Sequence, residues 1–172
     1  MMDAMQPTVR LATIADVPHL YELLDSYAQR GNLLPRPMSE LYRHLRDFFV
    51  VERNQRPIAC GALEIFTADL GEVRSLVVAD GHNGLGLGKL LVSRITDEAI
   101  ALGLSRLMAL TYVPEFFHKL GFVTVRKETL PEKVWGVCVK CYKFDRCDET
   151  AVVMDLLAQS GGDNDFLRQE QV

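Results

Sequence analysis

"GHNGLGLGKLL", residues 81–91, sets four glycines and a lysine between the apolar run "EVRSLVV" (72–78) and a long stretch of helical periodicity. From Leu87, the positions Leu91, Ile95, Ala99 and Leu102 recur at steps of four, four, four and three, which predicts a helix ending near Gly103. The glycines therefore join a strand to a helix. A helix N-terminus carries unpaired amide donors and about half a positive charge, so a turn stripped of side chains there is an anion cradle suited to a diphosphate. Two familiar phosphate loops fit poorly. Gly84, Gly86 and Gly88 alternate at every second residue, unlike G-x-G-x-x-G, and Lys89 is followed by Leu90 where a Walker loop needs Ser or Thr. The competing reading is that the glycines only make a tight turn.

Working outward, "TVRLA" reads as a first strand and "ADVPHLYELLDSYAQRG" as a helix with Asp16 as N-cap, Pro18 in the first turn and Gly31 as its stop. Val17, Leu20, Leu24 and Tyr27 give that helix one buried face. Pro35 and Pro37 interrupt the chain before "SELYRHL", a short helix capped by Ser39. "FFVVER" and "PIACGALEIF" are strands joined across "NQR" by a hairpin loop of three or so residues, and "EVRSLVV" is a further, central strand. After the long helix, "SRLMALTY" is a strand, "PEFFHKL" a short helix and "GFVTVRKE" another strand. "KVWGVCVKC" and "TAVVMDL" are the last strand candidates, and the polar tail 158–172 is expected to be mobile.

With 172 residues, 48% hydrophobic and 24% charged, the chain suits one globular domain, taken as 1–157. A net charge of −4 argues against a nucleic-acid partner. No apolar run reaches membrane-spanning length and "MMDAMQPTVR" has no signal-type core, so no membrane association and a cytoplasmic location are expected. Cys60, Cys138, Cys141 and Cys147 are then expected as reduced thiols. The last three, spaced C-x-x-C-x5-C, fall one firm ligand short of a structural zinc site, so no metal is assigned.

The order of elements, with the glycine loop in mid-chain after an apparent antiparallel sheet, resembles the GNAT N-acetyltransferases. Their pyrophosphate loop, Q/R-x-x-G-x-G/A, corresponds here to Asn83, Gly84, Leu85, Gly86, Leu87 and Gly88, with Asn83 departing from the usual Gln or Arg. "FFHKLGF" resembles the family's fourth helix and the turn that follows it. The resemblance covers roughly residues 8–157. It implies an α/β (α+β) fold, a mixed, largely antiparallel twisted sheet flanked by helices, with acetyl-CoA as co-substrate. Within the family, "EVRSLVV", "ALTYVPEFFHKLGF", "LPEKVWGVCVKC...CDETA" and "RGNLLPRPMSEL" resemble the short single-domain N-acetylglutamate synthases of bacterial arginine biosynthesis. That implies acetylation of the α-amino group of L-glutamate, and relatives of this kind often form homodimers.

The chemistry that this resemblance requires can be assigned to residues. An ammonium acceptor must lose a proton before it attacks, and Glu72, where many family members place a carboxylate, is the first candidate for the base; a solvated strand-end charge is the alternative. The amides of Leu76, Val77 and Val78 are candidates to bind the thioester oxygen as it gains charge. Many relatives protonate the leaving thiolate with a Tyr on the fourth helix, but that position holds Phe117, here a cofactor-side contact. Tyr112 and, more weakly, Ser75 are the substitutes, with water as a third possibility. Lys89 completes the phosphate loop. Arg36 and Arg74 are candidates for the two carboxylates of glutamate, since guanidinium binds carboxylate bidentately, and each reads equally well as a surface ion pair. Direct transfer leaves Cys60 without a nucleophilic role. Two rival functions stand beside this one: a GNAT enzyme for another small amine or a protein N-terminus, and a non-catalytic acetyl-CoA sensor.

Overall fold

The computed structural model describes residues 7–130 and 148–160. The seven strands of the described residues fall in two compact units, Met1–Glu64 with Val73–Ile95, and Ile65–Glu72 with Thr96–Val172.

In the first unit the hydrogen-bonded order is β1 (Val9–Leu11), β2 (Phe48–Arg53), β3 (Arg56–Ile65) and β4 (Leu70–Val78), whose first three residues belong to the second unit. β1 with β2, and β2 with β3, are antiparallel. The β2–β3 hairpin turns on Asn54 and Gln55 alone, at φ of 52° and 61°, because Arg53 already pairs with Arg56. Two consecutive left-handed residues make the turn whose twist matches that of the strands. The loop is thus one residue shorter than the sequence suggests.

α1 (Val17–Gln29) buries Val17, Leu20 and Leu24 in a cluster with Leu41, Phe48, Val50, Cys60, Ala62 and Val77. Pro18 stands in its first turn and Gly31, at φ 77°, ends it as expected. Asp16 takes the N-cap position of α1, as expected, but not the capping bond. Its side chain does not cap α1; it turns back to accept from the Thr13 amide at 2.7 Å and takes a bidentate pair from Arg10 at 2.7 and 3.0 Å. The Arg10 hydrogen bond holds the Asp16 carboxyl below its ordinary range, against a burial cost of opposite sign. α2 (Met38–Arg43) starts straight after Pro37, whose extended backbone is the cap, so Ser39 lies inside the helix and does not cap it. α3 (Leu87–Ala101) buries Leu87, Leu91, Val92 and Ile95. It approaches β3 closely at Gly61, where a Cβ would come within 3.1 Å of both Ile95 and Leu76.

In the second unit the order is β4, β5 (Arg106–Thr111), β7 (Thr150–Asp155) and β6 (Val123–Val125). β4 runs parallel to β5 through Leu70, Gly71 and Glu72, and β5–β7 and β6–β7 are antiparallel. α4 (Pro114–His118) follows β5, and α5 (Leu157–Ser160) follows β7. Leu70, Met108, Leu130 and Ala151 form the core of this unit. β6 is shorter than "GFVTVRKE" suggests, because a 3-10 turn (Lys127–Thr129) takes over. The "KVWGVCVKC" strand, Cys138, Cys141, Cys147 and nearly all of the tail lie outside the described residues.

Candidate active site

Ser75 interrupts β4 with φ of 53°, a left-handed conformation inside a strand. For a residue with a Cβ this costs about 1–2 kcal/mol and persists only where neighbours enforce it. Two neighbours do so. Arg36 Nη1 donates to Ser75 Oγ at 3.0 Å, and the Cys60 thiol donates to the Ser75 carbonyl at 3.5 Å. The amides that follow this left-handed residue are those of Leu76, Val77 and Val78. Among the described residues the β4–β5 ladder runs only from Leu70 to Glu72, so it ends before Ser75.

Cys60 is fully buried, and that burial pushes its thiol up to about 12, with Arg36 pulling weakly the other way. It is protonated at neutral pH and no nucleophile. Its work is to hold a carbonyl.

Arg36 lies in the proline-bounded segment between α1 and α2, with a side chain 11% exposed and its guanidinium 5.3 Å from the Phe48 ring centroid. Burial, and then the charge of Arg74, push it below its ordinary value. Arg74 is ion-paired to Glu64 on β3. Glu64, Glu40 and Asp47 all act on Arg36 in the opposite sense, with Glu40 3.9 Å from its Nε. Both arginines proposed from sequence thus occupy one electrostatic cluster. Glu64 was not singled out from the sequence; its only signal there is a charge near the end of an apolar strand.

β4 leads into the glycine loop through a second set of ties. Tyr27 Oη donates to the Val78 carbonyl at 2.5 Å, Arg30 lies over the Tyr27 ring and binds both oxygens of Asp80 at 2.6 and 3.2 Å, and the Ala79 amide reaches Ile58 O. The loop then turns at Gly81, Gly84 and Gly86, at φ of 82°, 79° and 77°. Asn83 to Gly86 are exposed. The first bond of α3 runs from the Leu90 amide to Gly86 O, which places Leu87, Gly88 and Lys89 in the first turn, where amides have no partner within the helix. The loop glycines are needed for their backbone.

In the second unit, Glu72 is 3% exposed, so it is not the solvated strand-end charge that the sequence left open. Tyr112, just past β5, is 39% exposed. Phe117 is buried, edge-on to Phe116 and Phe122 at centroid distances of 5.1 and 5.2 Å. No group of three or more His, Cys, Asp or Glu suited to a metal ion occurs among the described residues, and no described helix is long and apolar enough to cross a membrane.

Ser75 with its left-handed backbone, the glycine loop and the helix that follows all lie within residues 17–122, the stretch that the model of the acetyltransferase (GNAT) family matches. The chain belongs to the GNAT acetyltransferases. It is 34% identical over 155 residues to an uncharacterized N-acetyltransferase of Chlorobaculum tepidum, covering 90% of this chain and all of that one. To the amino-acid acetyltransferase of Mycobacterium tuberculosis it is 33% identical over 140 residues, 80% of each chain. Among solved structures, the N-acetylglutamate synthase of Neisseria gonorrhoeae complexed with coenzyme A and N-acetyl-glutamate superposes with a TM-score of 0.79 at 31% identity, over 87% of this chain and 35% of that one. This GNAT chain is therefore an acyltransferase with acetyl-CoA as co-substrate, on a mixed, mostly antiparallel sheet flanked by helices.

Proposed function

We propose that this GNAT enzyme transfers the acetyl group of acetyl-CoA to the α-amino group of L-glutamate, as the first step of arginine biosynthesis. The observation that carries the reading is the pair of guanidiniums, Arg36 and Arg74, gathered beside Ser75 of β4: a dicarboxylate acceptor calls for two such groups. The likeness to an amino-acid acetyltransferase and to a synthase holding N-acetyl-glutamate supports it.

In this mechanism the amides of Leu87, Gly88 and Lys89, with the loop from Asn83, take the diphosphate of the cofactor, and Lys89 adds a positive charge. The amides beyond Ser75 face the thioester oxygen. Glu72, two residues before Arg74 on β4, removes a proton from the ammonium directly or through water. The amine nitrogen attacks the thioester carbon, the oxygen takes the displaced electron pair, and collapse breaks the C–S bond to release coenzyme A. Tyr112 returns a proton to the departing thiolate, since Phe117 has no hydroxyl to offer. No acyl-enzyme forms, in keeping with a Cys60 thiol pushed up to about 12.

Thiol release measured across a panel of amines tests the acceptor. Glutamate is expected among the best acceptors; failure of glutamate while another amine turns over would replace the substrate, and binding of acetyl-CoA with transfer to no amine would make the protein a sensor.

A further inference from the structure

We infer that Glu64 is a specificity-determining residue: it stands in for an acceptor carboxylate at Arg74 and thereby sets how much negative charge the acceptor's side chain can carry. The inference rests on the acceptor site proposed above. Arg36 and Arg74 both lie in that site, but Arg74 is already ion-paired to Glu64, and both partners are about a quarter exposed. Glu64 thus occupies Arg74 before any acceptor arrives. Glu40 and Asp47, which also act on Arg36, have more exposed side chains and are screened by water.

The α-carboxylate that every amino-acid acceptor brings is assigned to Arg36. A second carboxylate on the side chain must compete with Glu64 for Arg74, whereas a neutral carboxamide of the same length need only hydrogen-bond. Glu64 therefore narrows the preference for glutamate over glutamine, and a neutral residue in its place widens it. Such competition appears in KM, because an occupied guanidinium weakens acceptor binding without altering the reacting atoms.

The test compares kcat/KM for L-glutamate and L-glutamine, at saturating acetyl-CoA, in wild type, Glu64→Gln and Glu64→Asp. In wild type the two amines are expected within about tenfold of each other. Glu64→Gln should raise the glutamate-to-glutamine ratio by about tenfold or more, the scale of one unit-charge interaction at a partly solvated site, through a lower KM for glutamate. Glu64→Asp keeps the charge and should keep the wild-type ratio, which separates charge from packing. An unchanged ratio in Glu64→Gln, or one shifted toward glutamine, overturns the inference while leaving the acceptor class intact. A wild type that transfers to neither amine overturns the acceptor class, and the inference falls with it.

Discussion

Replacing Gly86 separates the backbone geometry of the loop from its shape. At φ 77°, Gly86 sits where an L-residue pays about 1–2 kcal/mol, yet a Cβ built there meets nothing within 4 Å, so the penalty is conformational and not steric. The loop around it is exposed from Asn83 to Gly86 and can relax to a right-handed backbone at little cost to the core. The penalty should then fall on cofactor binding, as about a 5- to 30-fold weaker Kd for coenzyme A at 1.4 kcal/mol per decade. Gly86→Asn should cost less than Gly86→Ala, and Gly86→Val more, because Asn tolerates the left-handed region and β-branched residues do not. A clash with the ligand would reverse the first comparison, since Asn is larger than Ala. Gly103, at φ 86° after α3 and equally open, is the control: Gly103→Ala should lower stability and leave coenzyme A affinity alone. Isothermal titration calorimetry and urea denaturation give the two readouts. Wild-type affinity in Gly86→Val, or an order that follows size, would refute the reasoning.

Glu72→Gln should lower kcat/KM by about 10²- to 10⁴-fold, the range of a positioned base, in thiol-release assays from pH 6 to 9; full turnover at every pH would remove its role. Asp16→Ala should cost about 1–3 kcal/mol in urea denaturation at neutral pH, because the Thr13 amide and Arg10 lose their acceptor, while Arg10, a third exposed, keeps water as a substitute. Since the folded Asp16 titrates below its ordinary value, its contribution is present above about pH 5 and lost as pH falls through the folded value, so wild type and variant should converge in acid. Cys60→Ala should retain catalysis to within a few-fold, and the Cys60 thiol of the native protein should resist iodoacetamide at pH 8, as peptide mapping reports.

The parts of this fold that were legible in the sequence are those where only certain residues meet a physical demand. Gly84 and Gly86 mark the loop because its backbone is left-handed, and Leu91, Ile95 and Ala99 mark α3 because its buried face repeats every turn. The left-handed backbone at Ser75 left no such mark: a serine held in it by Arg36 and Cys60 depends on partners 39 and 15 residues away. Glu64 was hidden for the same reason, since cross-strand neighbours follow from register and not from spacing. Asp16 and Ser39 show the converse. Both have good capping side chains, but Arg10 and Thr13 claim the first, and the extended backbone of Pro37 starts α2 before the second.

The most direct measurement mixes the purified chain with acetyl-CoA and L-glutamate, then quantifies free coenzyme A by thiol titration and N-acetyl-L-glutamate by mass spectrometry. The account predicts equal amounts of the two products over many turnovers, with no acetyl group left on the protein. Thiol release without N-acetyl-glutamate, or an acetylated chain accumulating in its place, would contradict it.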